Sequence, residues 1–209
     1  KNYLKEKKID DSVSLEVGLF TEKQQTGHVY DRFRHRIMFP IKDARGRTVG
    51  FGGRTLSDEK PKYLNSPETP VFHKNKCLYG LYHAEKNSKE NYFILVEGYL
   101  DVLSLVQFGI HSAIATLGTA TSEEHLQMLF KLRSEIIFCF DGDAAGHQAA
   151  WRALIKVLPL LQEGRIIKFI FLPEGDDPDS YIRKHGTEQF QLNIKQATSL
   201  TDYLLKHIF

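Results

Sequence analysis

The sequence predicts an α/β fold: an open, mainly parallel sheet flanked by helices, preceded by a mixed α+β basic subdomain and followed by short helices. Three observations lead there. Strand–turn–helix units repeat four times between residues 92 and 181, and such alternation builds a parallel sheet. Ile136-Ile137-Phe138-Cys139-Phe140 is a short apolar run that stops at Asp141-Gly142-Asp143, as a fully buried strand would. Charge also divides the chain: residues 1–90 hold 18 Lys and Arg against 12 Asp and Glu, and residues 91–209 hold 10 against 14. These features give three segments: 1–90, basic; 91–182, the sheet; 183–209, helical.

Composition bounds the reading. At 209 residues the chain can build one sizeable domain or two small ones. It is 42% hydrophobic and 26% charged, ordinary for a soluble globular protein. No apolar run approaches the roughly 20 residues of a membrane span, so no membrane partner is expected. There is no signal-like start. The first residue is Lys1, which suggests a fragment of a longer chain. Cys77 and Cys139 form no Cys-x-x-Cys zinc pattern, and two isolated cysteines suit a reducing, cytoplasmic compartment.

The first thirty residues carry little signal: a partly helical Lys1–Lys8, a weak apolar pattern over Ser12–Phe20, and a turn at Thr26-Gly27. Residues 30–56 are expected to form a β-hairpin. Phe33, Ile37, Phe39 and Ile41 alternate with Arg32, Arg34 and Arg36, so one strand face would carry three guanidinium groups. Asp43-Ala44-Arg45-Gly46 is the turn. Gly52-Gly53-Arg54 closes the hairpin, and its glycines would let another backbone or a nucleic-acid strand approach. Arginines in register with no acid between them favour phosphate contact over a merely solvated face. Residues 57–90 look like irregular loops. Lys62-Tyr63 and Phe72-His73-Lys74 set lysines beside aromatics, a pattern that suits single-stranded nucleic acid.

In the sheet region the expected strands are Phe93–Val96, Ser112–Thr116, Ile136–Phe140 and Ile166–Phe171. Helices follow over Tyr99–Phe108, from a capping box at Thr121-Ser122-Glu123-Glu124, from Ala144 to about Leu158, and briefly through Tyr181 and Ile182. Thr187 would cap a further helix, along which Leu200, Tyr203, Leu204 and Ile208 form an apolar stripe.

Three of the four strand ends carry acid: Glu97, Asp141 with Asp143, and Asp176 with Asp177 and Asp179. Parallel strands end on one edge, so acids far apart in sequence would meet there. Any one Asp-x-Asp can serve as a turn and helix cap. Several converging acids point instead to a hard divalent cation, since Mg²⁺ takes one or two carboxylates plus phosphate oxygens. A calcium loop is excluded, because its fifth and twelfth positions would be Ala145 and Arg152.

These residues resemble a known family. Val96-Glu97-Gly98-Tyr99-Leu100-Asp101-Val102, Phe140-Asp141-Gly142-Asp143-Ala144-Ala145-Gly146 and Asp177-Pro178-Asp179 resemble the motifs of the TOPRIM fold of topoisomerases, primases and some nucleases. Arg32–Ile41, Gly50–Arg54, Pro61–Pro67 and Phe72–Lys74 resemble the basic subdomain of bacterial DnaG-type primases. The likeness implies template-directed synthesis of short RNA primers on single-stranded DNA from ribonucleoside triphosphates, at a bacterial replication fork. It implies that Glu97, Asp141 and Asp143 bind catalytic Mg²⁺ or Mn²⁺, that Asp101 supports them, and that Asp177 and Asp179 complete a second metal position. Arg32, Arg34, Arg36, Arg54, Lys62, Asn65 and Lys74 would contact template or nucleotide. It further implies zinc only in a domain absent from this chain, and a replicative helicase met through another absent region. The alternatives are a nuclease or topoisomerase-like enzyme on the same scaffold, and a non-catalytic nucleic-acid-binding module. The nine tyrosines offer no clear topoisomerase nucleophile.

Overall fold

The computed structural model describes residues 1–58 and 60–208. The chain forms two compact units, Lys1–Cys77 and Leu78–Phe209.

The first unit opens with α1 (Asn2–Glu6) and α2 (Asp11–Glu16), then a hairpin of β1 (Phe20–Lys23) and β2 (His28–Asp31). A three-stranded antiparallel sheet follows: β3 (Arg36–Lys42), β4 (Thr48–Thr55) and β5 (Tyr63–Asn65), in that order. The predicted turn joins β3 to β4. Asp43 accepts from the backbone N–H groups of Arg45 and Arg47, each at 2.9 Å, and Gly46 adopts φ +82°. The arginine face expected on this hairpin does not form. His35 adopts φ +51°, which breaks the alternation, so β3 begins only at Arg36. Arg32 and Arg34 lie before the strand, and Ile37, expected inside, is 49% exposed. Phe39 and Ile41 do enter the core. Gly53 receives the Phe33 and Arg36 side chains, rather than an open approach for another strand.

The second unit begins with α3 (Leu81–Asn87), a helix where irregular loop was expected. Then come β6 (Tyr92–Val96), α4 (Tyr99–Gln107), β7 (Ala113–Ala115), α5 (Glu123–Leu132), β8 (Glu135–Phe140), α6 (Ala144–Val157) and β9 (Ile166–Phe171). The chain closes with α7 (Pro178–Lys195), β10 (Thr198–Ser199) and α8 (Leu200–Ile208). The sheet order is β10-β9-β8-β6-β7. Its four long-connection strands are parallel, and β10 adds an antiparallel edge that the sequence pattern did not suggest.

The sheet is covered on both sides, which explains its continuous apolar strands. Phe93 and Leu95 of β6 and Ile136, Phe138 and Phe140 of β8 face the layer of α3, α5, α6 and α8. Ile94, Val96, Ile137 and Cys139 face α4 and α7. On the first face Phe138, Phe140, Phe169 and Phe171 stack in a ladder, with the Phe138 and Phe169 centroids 5.6 Å apart, and Tyr203 of α8 packs against it. Such burial is the main source of stability here, at about 25 cal/mol per Å² of apolar surface.

Two local signals resolve differently from the pattern. The α5 cap is Ser122 rather than Thr121: its hydroxyl accepts from the His125 N–H at 3.2 Å, and the His125 ring accepts from the Ser122 N–H. The two helices expected around residue 187 are both present within α7, separated at Gly186, whose φ of +78° is not helical. The Thr187 hydroxyl donates to the Phe108 carbonyl at the end of α4, 2.8 Å away, a long-range tie in place of the expected cap. Both cysteines are free thiols. Among the described residues no helix is long and apolar enough to cross a membrane.

Candidate functional site

The chain runs from β6 to β7 on one side, then returns to β8 on the other side of β6. The β6–β8 pair is therefore a topological switch point, where open α/β sheets bind ligands at the carboxyl ends of the strands. Glu97 leaves β6 and Asp141 leaves β8 at this point. The Asp-Gly-Asp turn is tight. A Cβ on Gly142 would run into the Leu172 carbonyl after β9, and a Cβ on Gly146 would run into the Asp141 carbonyl. Only glycine permits both approaches, which fixes the turn between the end of β9 and the start of α6.

Asp143 is the N-cap of α6, and its Oδ1 accepts from the Gly146 N–H at 2.7 Å. Capping uses one carboxylate oxygen and leaves a second for other work. Asp101 sits at the third position of α4, and its Oδ2 accepts from the Gly98 N–H at 3.0 Å. That bond holds the turn carrying Glu97.

The acids feel one another. Partial burial, then the charges of Glu97, Asp177 and Asp143, push Asp141 up to about 6. Burial, then the charge of Asp177, push Asp101 up to about 7, against the opposing Gly98 hydrogen bond. Glu97 is also raised, by desolvation first and by Asp143 second, while Arg152 pulls it back. Glu97, Asp101, Asp141, Asp143 and Asp177 thus form one electrostatic group. Among the described residues no three His, Cys, Asp or Glu side chains are gathered tightly enough to ligate one ion together. The donors still fit a hard divalent cation. They are all carboxylate oxygens, their mutual repulsion is relieved by positive charge, and Mg²⁺ completes its shell with water and phosphate rather than a protein cage.

The acids after β9 are more fully engaged. Asp177 caps α7 and accepts from the Ser180 N–H at 2.7 Å. Asp179 pairs with Arg183 at 2.6 Å, and Asp176 pairs with Lys184.

The basic residues of the first unit divide into two groups. Arg32 donates to the Asn65 carbonyl at 3.2 Å, and Arg36 donates to the carbonyls of Gly53 and Lys62 at 3.3 and 3.4 Å. These two brace the chain. Arg34 lies over the Tyr30 ring at 4.7 Å, and both Arg54 and Lys62 lie 6.0 Å from the Tyr63 centroid. These cation–aromatic pairs keep their charge at the surface. Lys74 begins a single 3₁₀ turn, its backbone N–H held by Glu68 at 3.1 Å.

Sequence reasoning missed Arg152 and Lys156 of α6, which line a cavity of about 340 Å³ that Glu97 also lines. Their spacing of four residues on the helix that follows Asp143 was the available signal.

Comparison with known proteins agrees with this geometry. Residues 1–85 match the family profile described as DNA primase catalytic core, N-terminal domain, and residues 94–182 match the Toprim-like profile. The chain is 58% identical over 196 residues to the DNA primase of Pseudomonas aeruginosa, covering 93% of this chain and 30% of that protein. It therefore spans about a third of such curated relatives. The E. coli primase catalytic core is 47% identical with a TM-score of 0.93, over 100% of this chain and 67% of that one. A DnaG primase catalytic domain solved bound to ssDNA is 46% identical with a TM-score of 0.92, over 100% of this chain and 66% of that one.

Proposed function

The chain belongs to the DnaG-type DNA primase family, within its catalytic core, and from that premise we propose that it performs template-directed synthesis of short RNA primers on single-stranded DNA. The observation that carries the reading is the acid group at the switch point, where Glu97 and Asp141 leave neighbouring strands, Asp143 caps the helix that follows, and the Asp143 charge adds to burial in raising the proton affinity of Glu97 and Asp141. Turn formers have no reason to converge in this way.

In the proposed reaction a primer 3′-hydroxyl gives up its proton to water and its oxygen bonds to the α-phosphorus of a ribonucleoside triphosphate. The bond from that phosphorus to the β-phosphate bridge breaks, and pyrophosphate leaves. Divalent metal ions are general to Toprim-like and primase proteins. Bound Mg²⁺ or Mn²⁺ would supply charge neutralisation for the attacking and leaving oxygens, in two positions. Carboxylates drawn from Glu97, Asp141 and Asp143 would hold the first ion one or two at a time, with water and phosphate oxygens completing its shell, and Asp177 and Asp179 would contribute to the second. Asp101 orients the Glu97 turn through its bond to Gly98. Arg34, Arg54 and Lys62, with Tyr30 and Tyr63, offer phosphate contact and ring stacking to template. Arg32, Arg36, Asn65 and Lys74 shape that surface. The working division is 1–90 for template, 91–182 for chemistry and 183–209 as a helical support. A replicative helicase and a zinc-binding domain would act through regions outside this chain, in the bacterial cytoplasm.

Incubation with a single-stranded DNA template, labelled ribonucleotides and Mn²⁺ tests the reading. Labelled primers are expected, and Asp141→Ala should abolish them while DNA binding persists. Strand cleavage without synthesis would assign the scaffold to a nuclease.

A further inference from the structure

We propose that His83 of α3 and His111, in the loop between α4 and β7, form a two-imidazole site for a borderline transition-metal ion, Zn²⁺ first among them. His83 Nε2 and His111 Nδ1 stand 3.5 Å apart, with the ring centroids 5.6 Å apart. That separation is long for a hydrogen bond, whose N–H donors lie roughly 2.7–3.2 Å from their acceptors. It is close to the bite of a metal. Two nitrogens bound to one tetrahedral Zn²⁺ at roughly 2.0–2.1 Å each stand about 3.4 Å from one another. His83 is exposed and His111 half-buried, so an ion can enter and small ring rotations can aim both lone pairs at one point.

The backbone on either side of each ring is fixed. Leu81 and Ala84, around His83, are buried, as are Ile110 and Ser112, around His111. Gly80 lets α3 lie directly on β7, since a Cβ there would stand 3.0 Å from the Ala113 carbonyl oxygen. Two elements distant in sequence thus present one nitrogen each, and the ion would tie α3 to the α4–β7 loop. Metal on Nε2 places the His83 ring proton on Nδ1. Asn87, one turn along α3, has its amide 3.2 Å from that nitrogen. The exposed amide donates to the His83 carbonyl at 2.9 Å. Turned over, it would offer its oxygen to the Nδ1 proton, the kind of outer partner that orients a metal-bound imidazole.

The donors choose the ion. Imidazole nitrogen suits Zn²⁺, Ni²⁺ and Cu²⁺, whereas Mg²⁺ and Ca²⁺ take oxygen. The pair is also apart from the acid group. His111 precedes β7 at the amino edge of the parallel strands, and Glu97 and Asp141 follow β6 and β8 at the carboxyl edge. Among the described residues no third His, Cys, Asp or Glu joins the two rings. Water would fill the other positions, and the ion would exchange rather than be locked in as in a closed four-ligand site. The zinc expected only in a domain outside this chain would then have a second, weaker place within it. Its effect is on the fold, because an ion that binds the folded chain and not the unfolded one stabilises it.

The test is calorimetry of the tag-free chain with Zn²⁺, in excess Mg²⁺ to occupy the carboxylates. One equivalent should bind. His83→Ala and His111→Ala should each weaken it at least tenfold, while His28→Ala, at another exposed histidine, should leave it within twofold. His83→Gln keeps a hydrogen-bonding side chain without an imidazole and should lose zinc as His83→Ala does. With Cu²⁺ as the probe, electron paramagnetic resonance should show coupling to two imidazole nitrogens, and to one in either alanine variant. Zinc should raise the thermal midpoint of the unsubstituted chain by several degrees and leave that of the variants almost unmoved. Zinc uptake that is absent, or indifferent to both histidines, overturns the proposal. Loss on one substitution alone means a single-histidine contact and overturns the pair. A chain that takes zinc through both histidines but makes no primer keeps this site and overturns the primase reading alone.

Discussion

Asp141 shows at the scale of one residue what the site costs the fold. Its carboxyl takes up a proton near pH 6, while an unfolded aspartate does so near its ordinary 3.8. The folded state therefore holds the proton more tightly, and stability falls as pH rises from about 4 through 6. Above that range the ionised carboxylate is a standing penalty in the absence of metal. Asp141→Asn should remove it. In metal-free protein at pH 8 the variant should be more stable by about 1 kcal/mol, a figure discounted for the solvent screening of a half-exposed group. The gain should fall to about half by pH 5 and toward zero below pH 4, and denaturant unfolding at pH 8 and pH 4 checks it. A gain independent of pH would place its origin outside the acid group. Asp143 makes a related point. It is both the helix cap that a cautious reading of Asp-Gly-Asp expects and a member of the acid group, because a carboxylate has two oxygens.

The element that departs furthest from its pattern is β3. Phe33, Ile37, Phe39 and Ile41 at odd positions against Arg32, Arg34 and Arg36 at even ones suggest one strand, yet His35 at φ +51° divides it. The consequence is functional. Arg32 and Arg36 are engaged by backbone carbonyls, whereas Arg34 and Arg54 keep their charge over tyrosine rings. Replacing both Arg34 and Arg54 by Ala should weaken single-stranded DNA binding and reduce the slope of log affinity against log salt by about 1.4, at roughly 0.7 for each phosphate left without its arginine. Titrations at several salt concentrations read this directly, and an unchanged slope would return both arginines to an uninvolved surface. Other elements followed their signals closely. Ile166–Phe171 is strand over its whole expected length, and α6 begins where Asp143 caps it. The missed α3 is seven residues long, too short for a clear 3.6-residue period. The missed β10 has only two residues, and its pairing with β9 is set by where α7 ends.

For the molecule as a whole, the switch point stands on the aromatic ladder beneath it. Phe138 is 1% exposed and stacks on both Phe140 and Phe169. Phe138→Ala should cost about 3–5 kcal/mol through reduced burial and the cavity left behind. Thermal unfolding should show a drop of many degrees, and a loss under about 1 kcal/mol would mean that the sheet's first face is not packed as described. The sequence alone determined the α/β class, the strands and their acidic ends, because periodicity of 2 or 3.6, glycine at turns and Asp at helix starts act between near neighbours in the chain. Only the tertiary structure decided which side chains are consumed internally and which remain available. That choice depends on pairings between residues far apart in sequence, such as Arg32 with Asn65, Thr187 with Phe108 and Lys156 with Thr121, which no local pattern encodes.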